Sequence, residues 1–171
     1  MADRIICMNN GENAQIGTPD DLYRRSNNLF VAGFIGTPPM NLLKGNADGR
    51  RLQVANASFD LNAQCSGAVT FGLRPEDITL TSAEIALFHG EIVTVEPMGS
   101  EVFYTIDTPA GIIHALEYGE AVRHAPDTKV GITAKSELTL VFDASGNRIA
   151  DLNADFLHHA AGRARVLEPA N

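Results

Sequence analysis

The chain has few lysines and a negative net charge. Its only lysines are Lys44, Lys129 and Lys135, and the formal net charge over 171 residues is −8. Phosphate binding needs clustered Lys and Arg side chains, whereas the arginines are dispersed along this chain. The composition therefore argues against a nucleic-acid partner.

Cysteines are scarce and long apolar runs are missing. Cys7 and Cys65 lack a Cys-x-x-Cys spacing, so a reduced thiol is expected at each, with a disulfide between them as the open alternative. The longest apolar run, Leu29 to Gly36, is far shorter than the roughly 20 residues that cross a bilayer. We expect no direct membrane insertion, and any membrane link would go through a partner.

The motifs of nucleotide hydrolysis are also missing. A phosphate loop reads Gly-x-x-x-x-Gly-Lys-Ser/Thr, but Lys135–Ser136 is the only lysine followed by a hydroxyl residue, and Ala134 replaces the last glycine. There is no Leu-Ser-Gly-Gly-Gln segment and no apolar run ending in Asp-Glu to hold magnesium. The chain alone is predicted not to hydrolyse ATP and to carry no cofactor.

Other catalytic patterns are weak. Glu76 and Asp77 are adjacent acids that diverge from each other, and Ser100 has no histidine placed near it. The histidines lack the spacing of metal ligands; they are His89, His114, His124 and the pair His158–His159. We therefore predict no catalytic and no metal-binding residue.

The residues that are present indicate a globular β protein. The hydrophobic fraction is 44% and the mean hydropathy is −0.04, as in globular domains. After residue 39, short alternating strands separated by Gly, Pro and Asn turns predict a small OB-fold-like barrel, within which residues 56–67 look like a polar, irregular link. The expected class is mainly β.

The first part of the chain has a different pattern. A tight turn at Asn10–Gly11 predicts a β-hairpin, Thr18 caps a brief helix, and Asn27 or Asn28 caps a second, nearly all-apolar helix. The abrupt opening on a strand indicates a larger preceding domain in the parent protein. These patterns predict three parts: residues 1–38, the barrel over residues 39–150, and a flexible or weakly helical tail over residues 151–171.

The stretch from Ala68 to Thr79 is a strand that ends in a charged corner. Pro75 stops the strand because proline has no amide hydrogen to donate. Arg74, held extended by that proline, is expected to project from the strand end, with Glu76 in the following turn. Residue chemistry alone predicts a surface ion pair here, worth roughly 0 to 1 kcal/mol.

Several blocks of the chain resemble one protein family. The segment from Gly72 to Asp77, reading Gly-Leu-Arg-Pro-Glu-Asp, resembles the Gly-x-Arg-Pro-Glu signature of the transport-associated OB-fold (TOBE) domain in ABC importer ATPases. Blocks from Ala2 to Asn41 are similar, in order and spacing, to the end of the ATPase domain of maltose-type or glycerol-3-phosphate-type importers. Glu91–Glu101 and Leu138–Asp143 resemble blocks of the regulatory domain. The resemblance covers residues 2–149 in patches and is weakest over residues 44–67.

The resemblance implies a regulatory and dimerisation region of the ATP-binding subunit of such an importer. Residues 1–38 would be the end of an α/β ATPase domain, and ATP and magnesium would bind in the parent protein only. The implied partners are a second copy, the transporter's membrane subunits and a regulatory protein, at the cytoplasmic face of the cell membrane. The expected subunit or regulator interface comprises Arg74, Pro75, Glu76, Gly99, Ser100, Glu101 and Phe142.

An oxyanion sensor is the alternative function. Related barrels of oxyanion importers (MOP-like modules) bind molybdate or similar anions between subunits. Here Gly99–Ser100 and Lys135–Ser136 are the only tempting donors, and the acidic net charge opposes anion capture.

The first part should also expose apolar surface. Without a preceding domain to pack against, the side chains that need cover are Ile5, Ile6, Phe30, Phe34 and Ile35. Dimerisation or strand exchange could provide that cover.

Overall fold

A computed structural model describes residues 3–81, 86–149 and 154–155, and most of them lie in strands. Two short helices stand near the N-terminus, so the expected mainly β class is confirmed. In chain order the elements are β1 (Ile5–Asn9), β2 (Glu12–Gly17), α1 (Pro19–Arg24), α2 (Leu29–Phe34), β3 (Asn41–Val54), β4 (Ala57–Leu73), a 3-10 turn (Pro75–Asp77), β5 (Ile78–Thr81), β6 (Phe88–Pro97), β7 (Glu101–Thr108), β8 (Gly111–Tyr118), β9 (Lys129–Ala134), a second 3-10 turn (Ser136–Leu138), β10 (Leu140–Phe142) and β11 (Ala154–Asp155).

The hairpin and helices of the first part follow the local sequence signals. Asn10 and Gly11 both have positive φ, 50° and 85°, as the tight turn requires. The Thr18 side chain accepts from the Asp21 amide at 3.1 Å and the Asp21 carboxylate accepts from the Thr18 amide at 3.1 Å, which makes the predicted cap a full capping box. Asn28 caps α2 by accepting from an amide at 3.0 Å. This unit, residues 5–35, is called the N-terminal segment below.

The prediction of an irregular link over residues 56–67 is wrong. β3 and β4 pair continuously as one long antiparallel hairpin, with a register shift between Gly49 and Arg51. Phe59 and Leu61 are almost fully buried. The polar residues that alternate with them lie on the other face of the strand. The run of small and polar residues after Leu61 made the segment look irregular in sequence.

The barrel consists of two sheets. β4 is central in the first, with β3 along one edge and β10 and β11 along the other. The second has the strand order β5-β9-β6-β7-β8, and its two edge strands, β5 and β8, contact each other. The second sheet therefore curls almost into a cylinder, which gives the OB-fold-like shape that the turn spacing predicted.

The main core lies between the two sheets. Phe59 packs against Phe71 of its own sheet and against Phe88 of the other, with ring centroids 5.7 Å and 5.3 Å apart. Tyr104 and Ile106 of β7 are fully buried in the same cluster. Burial of each such side chain contributes about 1.5 to 3 kcal/mol, so this core holds the two sheets together.

Two expectations for the end of the chain have different outcomes. Ala154 and Asp155 form a short strand paired with Leu61 and Asp60 of β4, so the weak helix considered for residues 151–171 is wrong for these two residues. The prediction for the rest of residues 151–171 falls outside the described residues. Each described α-helix has six residues, and none has the length and apolarity needed to cross a bilayer.

Candidate functional site

The charged corner at the end of β4 is built by one local constraint. Arg74 has extended geometry, φ −74° and ψ 138°, as expected for a residue that precedes proline. Pro75 starts the 3-10 turn, which the Asp77 amide closes by donating to the Arg74 carbonyl at 3.1 Å. The Arg74 side chain is thereby directed away from the strand ladder and toward the N-terminal segment.

Arg74 ties both short helices to the barrel. Its Nη1 donates to the Ile35 carbonyl and its Nη2 to the Tyr23 carbonyl, each at 2.6 Å. The guanidinium also lies 4.0 Å from the centroid of the Tyr23 ring, a cation–π geometry. One side chain thus holds the end of α1 and the end of α2 against the end of β4, and we call this contact the junction.

Gly36 makes room for that guanidinium. Its φ is +119°, and a Cβ built there would lie 2.9 Å from Arg74 Nη1. Both the backbone conformation and the close approach require glycine at this position.

Arg74 leaves the strand end as expected, but the expectation that it forms a surface ion pair is wrong. Arg74 is only 2% exposed, and no salt bridge to it is present among the described residues. Backbone carbonyls from the N-terminal segment cover the guanidinium and replace water around it. Burial lowers the pKa of Arg74, and the nearby charges of Glu76 and Asp77 oppose that shift.

Glu76 completes the junction by accepting a hydrogen bond from the Tyr23 hydroxyl. Burial first, and then this bond, raise the pKa of Tyr23 above its ordinary value, so the phenol stays a donor at neutral pH. Burial and the neighbouring Glu76 raise the pKa of Asp77. The sequence carries no local signal for this role of Tyr23, because Tyr23 lies 51 residues before Arg74.

Phe142 also lies at the junction, beneath the surface. It is fully buried in a small cluster with Ala32 of α2, Met40 and Leu140. Pro75 is buried as well. Neither side chain is available for direct contact with another protein in this conformation, and the same holds for Arg74. Their assignment to a subunit interface stays a prediction, and any such role would act through the surface that they position.

Asn41 joins the two sheets beside the junction. Its Nδ2 donates to the Leu73 carbonyl at 3.1 Å and to the His114 carbonyl at 2.9 Å, and its Oδ1 accepts from the His114 amide at 2.8 Å. The amide side chain thus pairs with the edge of β8 as a neighbouring strand would. Its partner lies 73 residues away, so the sequence offered no sign of this closure.

The remaining predicted interface residues lie on a separate surface, the turn between β6 and β7. Gly99 has φ +80° and, like Ser100, is exposed, whereas Glu101 is half-buried. Glu101 stands opposite Tyr118 of β8, and its carbonyl accepts from the Met98 amide at 2.7 Å.

Apolar side chains surround this turn. Met98 is 56% exposed and Tyr118 is 67% exposed. Phe103 is half-buried on the face of β7 that also carries Glu101, and it stacks on His114 at 5.1 Å between centroids. We call the surface formed by Met98, Glu101, Phe103, His114 and Tyr118 the turn face.

The two donor pairs considered for an oxyanion do not converge within one chain. β6 and β9 are antiparallel, with Phe88 opposite Ile132. Lys135–Ser136 therefore lies beyond the first residue of β6, whereas Gly99–Ser100 follows its last. Ten residues of strand span about 30 Å, far more than one anion can bridge. Within the described residues, no group of three or more His, Cys, Asp or Glu side chains could hold a metal ion.

The exposed apolar surface expected on the N-terminal segment is present. Ile6 and Ile16 form an exposed cross-strand pair, 58% and 46% accessible. On α2, Phe34 is 67% exposed and stacks on Phe30 at 5.6 Å. Ile5 is also exposed and Ile35 is half-buried.

Comparison with known proteins identifies the barrel. Residues 71–142 match the TOBE domain family. The chain is 37% identical over 158 residues to an sn-glycerol-3-phosphate import ATP-binding protein of Agrobacterium fabrum, covering 87% of this chain and 43% of that protein. It is 34% identical over 165 residues to the lactose transport ATP-binding protein of Rhizobium radiobacter, covering 87% and 45%. It is 43% identical over 109 residues to a xylose/arabinose import ATP-binding protein of Haloferax volcanii, covering 59% and 28%.

The chain thus spans less than half the length of these curated relatives. Among solved structures, a cytoplasmic molybdate-binding protein aligns over 59% of this chain and 94% of its own, with 14% identity and a TM-score of 0.48. That similarity is too low to bear on function.

Proposed function

The chain carries a TOBE domain and is related to the ATP-binding proteins of ABC sugar importers, and on this premise we propose that it is the regulatory and dimerisation region of such a subunit. The parent protein would import sugars or related solutes. The observation that carries the proposal is the junction: Arg74 fastens the N-terminal segment to the barrel through two carbonyls. A regulatory domain can restrain an ATPase domain only if the connection between them is stiff.

The N-terminal segment supplies a surface for the ATPase domain of the parent. Its outer side exposes Ile6, Ile16, Phe30 and Phe34, whereas its inner side is fixed to the barrel. An exposed apolar surface of this kind is typical of a contact with another protein surface. In this proposal the parent's ATPase domain covers this surface. That domain binds ATP and magnesium and works with membrane subunits at the cytoplasmic face of the membrane.

The turn face supplies a surface for self-association. It combines exposed Met98 and Tyr118 with half-buried Phe103 around the polar turn, the mix of aromatic and polar groups found in protein interfaces. A contact on the barrel would persist while the ATPase domains open and close, because the barrel is not part of the ATPase domains that move. This role agrees with the sequence-based choice of Gly99, Ser100 and Glu101.

Molecular mass in solution tests the proposal. Light scattering of the chain over a dilution series is expected to detect a dimer that Tyr118→Lys dissociates, because a charge is then desolvated in the contact. Phe34→Lys is the matched control, since it places the same charge on an equally exposed aromatic position of the N-terminal segment. A monomer at every concentration contradicts the self-association role. A dimer lost only in Phe34→Lys assigns the contact to the N-terminal segment and contradicts the turn face.

A further inference from the structure

A cavity of about 290 Å³ lies beside the junction, between α1, the end of β4 and the loop that follows β10. Four arginines line it: Arg24 and Arg25 at the end of α1, Arg74 at the end of β4, and Arg148 after β10. Their convergence is unexpected in a chain whose net charge is −8, because acidic side chains outnumber basic ones.

The ion pairs of these arginines leave much of their charge uncompensated. Arg24 meets Asp20 at 3.0 Å and Arg25 meets Asp21 at 3.9 Å, and both arginine side chains are more than half exposed. Exposed pairs of this kind are weak. Arg148 forms no salt bridge within the described part of the chain. All three side chains could reorient toward a ligand at little cost.

Arg74 provides an independent observation. It is 2% exposed, and its Nε is buried without a hydrogen-bond partner among the described residues. Nη1 and Nη2 are occupied by carbonyls, which are neutral acceptors. The wall of the cavity therefore contains a buried guanidinium with one unsatisfied donor, and a buried charged donor of this kind is costly to leave unpaired.

The rest of the lining limits the kind of ligand. Met40 and Leu140 provide an apolar wall, and the Tyr23 ring lies alongside. Asp77 and Glu137 also line the cavity, so among the side chains that line it four guanidinium groups outnumber two carboxylates. The volume suits a molecule of about ten heavy atoms, whereas a peptide would need an extended groove.

We infer that this cavity binds a small organic anion, with a carboxylate or phosphate-monoester head held by the arginines and a compact apolar body against Met40 and Leu140. Arginine is suited to this role because its planar fork matches both oxyanions. Since Arg24 and Arg25 belong to the N-terminal segment and Arg148 follows the barrel strand β10, the ligand bridges the two. It stabilises the junction by binding only the docked state. The inference does not depend on the proposed transport role.

Calorimetry on the complete chain tests the inference with two probes, benzoate and phenyl phosphate. Benzyl alcohol serves as the neutral analogue, and inorganic phosphate as an anion without an apolar body. At least one anionic probe is expected to bind saturably at millimolar concentrations or below, and to raise the unfolding temperature. Arg148→Gln and Arg24→Gln are expected to weaken that binding about tenfold each, the loss of one charge-assisted hydrogen bond. Arg51→Gln removes the same charge from an exposed position on β3 and is expected to leave binding unchanged.

Four results overturn the inference. The first is the absence of saturable binding by either anionic probe. The second is equal weakening by Arg51→Gln, which indicates nonspecific attraction. The third is binding of benzyl alcohol or inorganic phosphate as tight as that of the organic anions, which contradicts the assigned ligand class. The fourth is retained binding in a folded double variant that carries Arg148→Gln and Arg24→Gln. Circular dichroism of each variant establishes that a loss of binding is not a loss of folding.

Discussion

Replacing Arg74 with methionine isolates the contribution of the junction. Methionine keeps most of the side-chain length but has no donor, so the carbonyls of Tyr23 and Ile35 lose hydrogen bonds of 2.6 Å each. Hydrogen bonds from a charged donor contribute about 1.5 to 3 kcal/mol each. The variant also regains the cost of burying a guanidinium, which offsets part of this loss. We expect a net decrease of about 3 kcal/mol in the free energy of unfolding.

A loss of this size is large for a single domain, whose total stability is about 5 to 15 kcal/mol. For a chain of this length it corresponds to a fall of about 6 to 12 °C in the unfolding temperature. Urea unfolding followed by circular dichroism measures the free energy. Limited proteolysis between α2 and β3 measures whether the N-terminal segment has undocked from the barrel, which is the local consequence that the junction predicts.

Two further variants refine the measurement. Arg51→Met removes an exposed arginine from β3 and is expected to change stability by less than about 0.5 kcal/mol. Arg74→Lys keeps the charge, but its single nitrogen cannot serve both carbonyls in the geometry of a guanidinium fork, so an intermediate loss is expected. If Arg74→Met costs no more than Arg51→Met, or leaves the link equally resistant to protease, the reasoning about the junction is refuted.

Two other predictions concern the closure of the barrel and the acid beside the junction. Asn41→Leu removes three hydrogen bonds to Leu73 and His114. It should lower the free energy of unfolding by about 2 to 4 kcal/mol in thermal and urea unfolding. A change under about 0.5 kcal/mol would contradict the role of Asn41 in closing the barrel. Burial and Glu76 raise the pKa of Asp77 in the folded protein, so the ionised carboxylate destabilises the fold at neutral pH. This cost disappears as the pH falls through the folded-state pKa toward the ordinary value of 3.8. The stability of the wild type relative to Asp77→Asn should therefore rise between pH 7 and pH 4 in urea titrations, whereas Asp48→Asn, an exposed control on β3, should show no such trend.

Local signals in the sequence predicted the first part of the fold well. The turn at Asn10–Gly11 and the caps at Thr18 and Asn28 depend on neighbouring residues only. Their geometry is therefore specified within three or four positions. The mainly β class followed in the same way, from the spacing of turn residues and the alternation of apolar side chains.

The β3–β4 hairpin was missed because the alternating pattern of β4 is interrupted after Leu61. Buried residues such as Phe59 and Leu61 alternate with polar residues that face solvent. The two strands also differ in length and contain a register shift. The alternation is short, and the small and polar residues that follow Leu61 do not continue it, so periodicity did not indicate the length of this strand.

The sequence by itself determined the class of fold, the local caps and turns, and the blocks that relate the chain to ABC importer ATP-binding proteins. Only the tertiary structure decided what Arg74 does. Its partners, Tyr23 and Ile35, lie 51 and 39 residues earlier, and an arginine after a strand is most often solvated. Burial and hydrogen-bond partners depend on which distant segments pack together, and a local pattern carries no information about that packing. For the same reason, the pairing of Asn41 with His114 and the arginine-lined cavity became visible only after the N-terminal segment had been placed against the barrel.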